Sequence, residues 1–337
     1  MHRSILIAIV VYIGSFFLPA FVCAEDSALP NPLSLPQALA YAEKHPRNKL
    51  DSKTNRYYPP FETLYLDCHA LAYANKTNIL NESRRDRLFS PLFSIKESVK
   101  IDILRRFFDV LLADMSFAFS NENMAGAFIT LDRAKNRQEL NSASELEVAA
   151  KDAAYQLIRQ QRFASESTQR LTRSLLAQAI GQPEKLPSDL KLINKLPVIP
   201  KELPNLTSLY AAALKNNAAL IERLEALSDE EQDILKMELR QYLLERLLQI
   251  QQLDIVNQKS QAESYWRDLK LDQSRTLYDM EVKSDLGDSM AQQTKAQLQE
   301  KQIEYCKALA WSELNILQGK ALLAGTSEVI KEEEKKQ

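Results

Sequence analysis

Between Ser228 and Ser284 the chain contains neither proline nor glycine, and from Leu92 to Gln182 it has no proline and only Gly126 and Gly181. Proline removes a backbone donor and glycine is the most costly ordinary residue to order, so long stretches without either read as uninterrupted helix. A continuous helix from Ser228 to Ser284 would be a rod of roughly 85 Å, far longer than an ordinary globular helix. Within it Leu239, Leu243, Leu247, Ile250, Leu253 and Val256 step by three and four along one face, which is the helical period. Leu244, Leu248 and Ile255 fall on a neighbouring face. A helix with two apolar stripes packs between two neighbours, as in a bundle or a closed ring of helices.

The remaining breakers divide the chain. Pro32, Pro36 and Pro46 mark one region, and Pro59-Pro60 and Pro91 interrupt the next. Pro183, Pro187, Pro197, Pro200 and Pro204 crowd into one stretch, which predicts a stiff extended connector. The two blocks begin alike: Leu33 to Pro46 reads LSLPQALAYAEKHP and Asn205 to Asn217 reads NLTSLYAAALKNN. They also end alike, with LLAQAIG closing at Gly181 and LNILQG closing at Gly319. A glycine after an apolar helical run can take the left-handed conformation that stops a helix. Matching starts and ends predict a tandem duplication of one all-helical unit. The expected organisation is a first repeat over 25–182, a connector over 183–204 and a second repeat over 205–323. Residues 324–337 read as a solvated tail, ending in KEEEKKQ.

The first 24 residues differ from the rest. Arg3 precedes an apolar run from Ile5 to Phe17, and Val22-Cys-Ala24 stands before Glu25-Asp26. This is the pattern of a secretory signal peptide cut after Ala24. The apolar core is short for a membrane anchor, and Phe21-Val22 are bulky for a lipoprotein site at Cys23. The mature chain would keep two cysteines, Cys68 and Cys306. The compartment permits a disulfide, yet nothing local pairs them, and buried free thiols are the expectation. Adjacent Cys68 and His69 do not suit one metal, so neither metal nor cofactor is expected. A formal charge of −2 argues against nucleic acid as a partner. No phosphate loop and no nucleophile–base motif is present, so the chain reads as a non-enzyme.

Several stretches resemble one family. LPQALAYAEKHP and NLTSLYAAALKNN look like the two repeat openings of the TolC family of outer-membrane efflux proteins, and FFDVLLAD (Phe107 to Asp114) is similar to its first long helix. LAQAIGQP (Leu176 to Pro183) is similar to the helix end before its connector. LYDMEVKSDLGDSM (Leu277 to Met290) is similar to its second periplasmic turn. The resemblance spans most of residues 33–323. It implies an all-α protomer of long antiparallel helical hairpins, a homotrimer enclosing a helical barrel, and a place in the outer membrane or periplasm of a Gram-negative bacterium. It further implies work in tripartite efflux or type I secretion, with a periplasmic adaptor and an inner-membrane pump as partners.

The departures from that family bear on function. Family repeats carry membrane-spanning strands, each needing about 9–11 alternating residues. Neither Leu220 to Asp272 nor Tyr57 to Pro91 alternates in this way, so the β-barrel portion is expected to be absent or reduced. A protein without it would be a soluble periplasmic scaffold or accessory that conducts nothing. At the first hairpin turn Asn141 stands where the family has glycine, and Glu147-Val148 follows where it prefers aspartate-valine. At the second turn Gly287 matches, while Gln293 and Ala296 occupy the places of the family's constricting aspartates, a role that does not carry over. Leu140, Asn141 and Ser142, with Asp285, Leu286, Gly287 and Asp288, are where an adaptor would dock by the resemblance. Small polar residues also serve the turns themselves.

Overall fold

The structure, a computed structural model, describes residues 29–49, 63–73, 92–280 and 285–324. The expected signal peptide and the tail beyond residue 324 lie outside these residues, as does most of the segment from Tyr57 to Pro91. Eight α-helices are described: α1 (Leu35–Ala40), α2 (Cys68–Tyr73), α3 (Ile95–Glu139), α4 (Glu145–Ala179), α5 (Leu206–Asn216), α6 (Ala218–Glu225), α7 (Asp229–Asp279) and α8 (Leu286–Leu317). No strand occurs among the described residues; one isolated parallel bridge joins Leu33 to Leu190. The two longest helices, α7 and α3, run for roughly 77 and 68 Å.

Four long helices form an open layer in the order α4, α3, α8, α7, because α3 packs on both α4 and α8 while α8 also packs on α7. Among the described residues α4 and α7 share no extended face, so they are the layer's two edges. The expected all-helical hairpins are therefore present. The central pair is set by α3 residues meeting α8 residues in antiparallel order: Phe108 stacks on Tyr305 at 4.4 Å between ring centroids, and further along Glu122 accepts from Thr294 Oγ1 at 2.6 Å. The core is densest at the end where α3 carries Val99 to Ala113, with Phe107, Phe108 and Leu112 wholly buried.

The duplication is visible in matching caps. Ser94 and Glu97 open α3 with a reciprocal capping box, and Ser228 and Glu231 open α7 in the same way. At the other ends Gly181 and Gly319 adopt φ of 74° and 75°. The Gly181 N–H donates to Gln178 O and Gln182 N–H to Ala177 O; Gly319 and Lys320 repeat this with Ile316 and Asn315. Both are Schellman stops. Each glycine also lies against the helical start of its own repeat, Gly181 beside His45 and Gly319 beside Asn216. His45 and Asn216 are equivalent positions in LPQALAYAEKHP and LTSLYAAALKNN. A repeat is thus a unit whose beginning packs on its end.

Residues 183–204 hold no helix and border Leu33, which donates to Asp189 O and accepts from Lys191 N–H, both at 2.9 Å. The segment 63–73 crosses the layer as a strap. Asp109 of α3, fully buried, accepts backbone N–H bonds from Leu64, Tyr65 and Leu66 at 2.7–3.2 Å. Tyr65 also bonds Thr168 of α4 (2.5 Å) and its carbonyl accepts from Gln302 of α8 (3.1 Å). The expectation of free thiols is corrected here. Cys68 and Cys306 form a disulfide with Cα atoms 5.3 Å apart. The strap brings them together through long-range packing, which sequence spacing cannot reveal.

Two stability outcomes follow. A β-carbon at residue 319 would lie 2.3 Å from Asn216 O, whereas one at residue 181 meets only side-chain atoms at 3.2 Å. Left-handed geometry alone costs about 1–2 kcal/mol at each, so Gly319→Ala should lower the urea midpoint clearly more than Gly181→Ala. Replacing both Cys68 and Cys306 with serine should cost roughly 2–5 kcal/mol, and reducing agent should shift the electrophoretic mobility of the parent chain alone.

Candidate functional site

The first hairpin turn is built from the end of α3. Asn141 takes φ 54°, donating to Gln138 O at 2.9 Å while Ser142 N–H donates to Arg137 O at 2.8 Å. It is the same stop that glycine makes elsewhere, with asparagine tolerating the left-handed region. The Arg137 guanidinium donates to the Ser142 carbonyl and to Glu147, each at 2.9 Å. Ser144 then caps α4 by accepting from Glu147 N–H. This polar brace leaves two apolar side chains bare at the tip: Leu140 is 78% exposed and Leu146 81%.

The second turn is organised differently. Asp285 accepts from Ser274 Oγ at 2.6 Å and pairs with Lys270 at 3.2 Å. The Ser274 hydrogen bond is the chief reason its carboxyl is held below the ordinary range, with Lys270 adding to it. Gly287 lies in the first turn of α8 rather than at a left-handed turn position. It lies beside Gly126 of α3, where a β-carbon would stand 3.8 Å from the Gly126 Cα, an ordinary contact distance. Leu286 is half-buried and Asp288 exposed. Gln293 and Ala296 are buried, and Gln293 donates to Asp268 of α7; neither faces an open surface.

The two predicted turns are not level. Gly287 sits beside Gly126, and α3 continues through residues 127–139 before Asn141 turns the chain. α3 therefore continues roughly 20 Å past the start of α8. Leu140, Asn141 and Ser142 are at its end, while Asp285 to Asp288 lie at the step.

Along the layer's edges the second apolar stripe is unfilled. Leu239, Leu243, Ile250 and Leu253 of α7 are buried within the chain, but Leu248 and Ile255 are exposed and Leu244 is half-buried. On the opposite edge α4 exposes Leu157, Phe163 and Leu171. Both edges of the layer therefore expose apolar side chains.

At the other end a buried carboxylate joins three helices. Glu313 of α8, fully buried, accepts from Arg105 of α3 at 2.5 Å and Tyr242 of α7 at 2.6 Å, and pairs with Arg246 of α7 at 3.0 Å. Burial alone pushes the Glu313 carboxyl up, but Arg246 and Arg105 outweigh it and hold the group down at about 2. Sequence patterning does not single out this residue, although an acid inside the apolar run ALAWSELNIL is the visible signal. The arrangement fixes helices rather than performing chemistry. Among the described residues no group of His, Cys, Asp and Glu could hold a metal ion, and no helix is long and apolar enough to cross a membrane.

No protein-family model and no curated protein matches the chain in sequence. Solved structures do match. A structure of CusC, described for conformational changes accompanying folding and transmembrane channel formation, is similar over 85% of this chain and 96% of that one, with a TM-score of 0.53 at 12% identity. The outer-membrane channel OprN is similar over 67% of each chain (TM-score 0.46, 13% identity), and the outer membrane protein VceC from Vibrio cholerae over 67% and 71% (TM-score 0.39, 12% identity). The fold is that of the helical part of a TolC-type channel. Residues 205–280 contain no strand. The neighbours are channel proteins rather than enzymes.

The Glu313 cluster yields a pH outcome. Its carboxyl sits at about 2, below the ordinary 4.5, so its stabilising contribution is complete above about 4.5 and is lost as pH falls through about 2. Glu313→Gln leaves the buried Arg246 and the partly buried Arg105 short of a counter-charge and should cost about 3–5 kcal/mol at neutral pH. Urea unfolding at pH 7, 4 and 3 should show a shallower acid dependence for the variant than for the parent.

Proposed function

We propose that this chain is a non-enzymatic wall element of a TolC-type export assembly in the Gram-negative envelope, serving efflux or type I secretion. The single observation that carries this reading is the open four-helix layer with apolar residues left on both edges, α4 and α7. Joining the α7 edge of one copy to the α4 edge of the next makes a head-to-tail contact that closes into a ring. Three copies would form the barrel. The tip residues Leu140, Asn141 and Ser142 would meet a periplasmic adaptor, with Asp285, Leu286, Gly287 and Asp288 at the step, and an inner-membrane pump would lie beyond.

A second reading has its own support. The absence of strands among the described residues of the second repeat and the disulfide-held strap favour a periplasmic scaffold or accessory that does not conduct. Native mass spectrometry of the mature protein tests the ring: a trimer lost on Ile255→Lys is expected, and a monomer at high concentration would sink it. Osmotic shock separates the two readings, because wholesale release into the periplasmic fraction is incompatible with a spanning channel.

A further inference from the structure

The strap from Thr63 to Tyr73 is fastened in two halves by unlike means. In the first half Thr63 Oγ1 donates to the Leu66 carbonyl at 2.7 Å. The N–H groups of Leu64, Tyr65 and Leu66 converge on one acceptor, the wholly buried Asp109 carboxylate of α3. Moving this half away would leave that carboxylate buried without its donors, which is costly. The Tyr65 hydroxyl adds a bond to Thr168 of α4. The second half is the helix α2, begun by the Asp67 side chain, which accepts from Ala70 N–H at 2.9 Å. Its six residues are too few for a helix to persist in water by itself, where about 12 or more are needed. So α2 is held by what it lies on, and that is α7 and α8. Its buried residues are Cys68 and Ala72, with Leu71 and Tyr73 half-buried at the margin of the core. An alanine and two marginal side chains bury little apolar surface. The bond from Cys68 to Cys306 of α8 is the chief fastening.

We infer that the Cys68–Cys306 bond is a redox-sensitive clasp: its reduction by a dithiol frees α2 from α7 and α8 while Thr63 to Leu66 stay seated on α3 and α4. The reductant's thiolate attacks Cys68, the more open of the two residues at 8% exposure against 0% for Cys306. The S–S bond breaks, and Cys306 leaves as a thiolate that takes up a proton. The reductant's second thiolate then displaces Cys68, which is protonated in turn, and the reductant ends as a disulfide. Two electrons have passed to the protein. Asp67, between the halves, is where the strap parts. At the far end of α2 Tyr73 lies within electrostatic reach of Arg246 and Glu245, so the clasp adjoins the buried charges around Glu313. The inference concerns a single chain and stands whether or not copies join into a ring.

Hydrogen exchange read by mass spectrometry tests the clasp on the mature chain, oxidised or reduced with dithiothreitol, in labelling pulses of about a minute. Electron-transfer fragmentation separates residues 64–66 from 69–73. After reduction the amides of 69–73 should exchange roughly tenfold faster. Those of Leu64, Tyr65 and Leu66, and of residues 99–113 in α3, should change by less than about twofold. A chain carrying Cys68→Ala and Cys306→Ala should match the reduced parent. Unchanged protection of α2 overturns the inference, because packing would then hold it without sulfur. So does equal acceleration over 64–66, which would make the strap one piece, or acceleration that reaches α3, which would make the bond a support of the whole layer. A bond that resists dithiothreitol in the folded chain overturns it as well. Since every readout belongs to one chain, a monomer in native mass spectrometry sinks the ring and leaves this result legible.

Discussion

The Glu313 carboxylate receives a guanidinium from α3, and a guanidinium and a phenol from α7, while being carried itself by α8. A charge placed out of water is tolerated only when partners surround it, so the three helices must hold one register for the site to exist. That register also brings Phe108 onto Tyr305 and sets Cys306 under the strap. Apolar packing alone would tolerate a slip by one helical turn at modest cost. A buried acid between two arginines does not, since a slip would strand charges in the interior.

The repeat architecture solves a related problem at the ends of the layer. Each long hairpin returns to a Schellman glycine that touches the beginning of its own repeat, His45 for one and Asn216 for the other. Helix carbonyls that would otherwise be orphaned are satisfied by this stop, and the first short helix is pinned without needing a partner from the other half. The halves then differ where they can afford to: the first carries the strap, and the second runs from α6 into α7 with only residues 226–228 between.

Much of this was readable from residues. Proline and glycine placement defined the long helices, and the terminal glycines with their apolar runs defined the repeat ends, because both depend on local backbone physics. The six-residue stripe from Leu239 to Val256 identified the packed face of α7, and the exposed positions Leu248 and Ile255 are the second stripe that the same pattern contains. What stayed hidden depends on tertiary approach. Gly287 looks like a turn glycine in sequence but lies within the first turn of α8, beside Gly126. The step between the hairpins follows from how α8 is seated against α3, a relation that no single segment encodes. The Cys68–Cys306 pairing has the same origin.

That pairing joins the first crossing segment to the last long helix, so most of the chain lies inside one covalent circuit. Between residues 25 and 337 these two are the sole cysteines. Cys68 precedes Cys306 by 238 residues, so the circuit can close only after nearly all of the polypeptide has been made. Because each sulfur has a single mate within that span, an oxidant suffices and reshuffling by an isomerase is unnecessary.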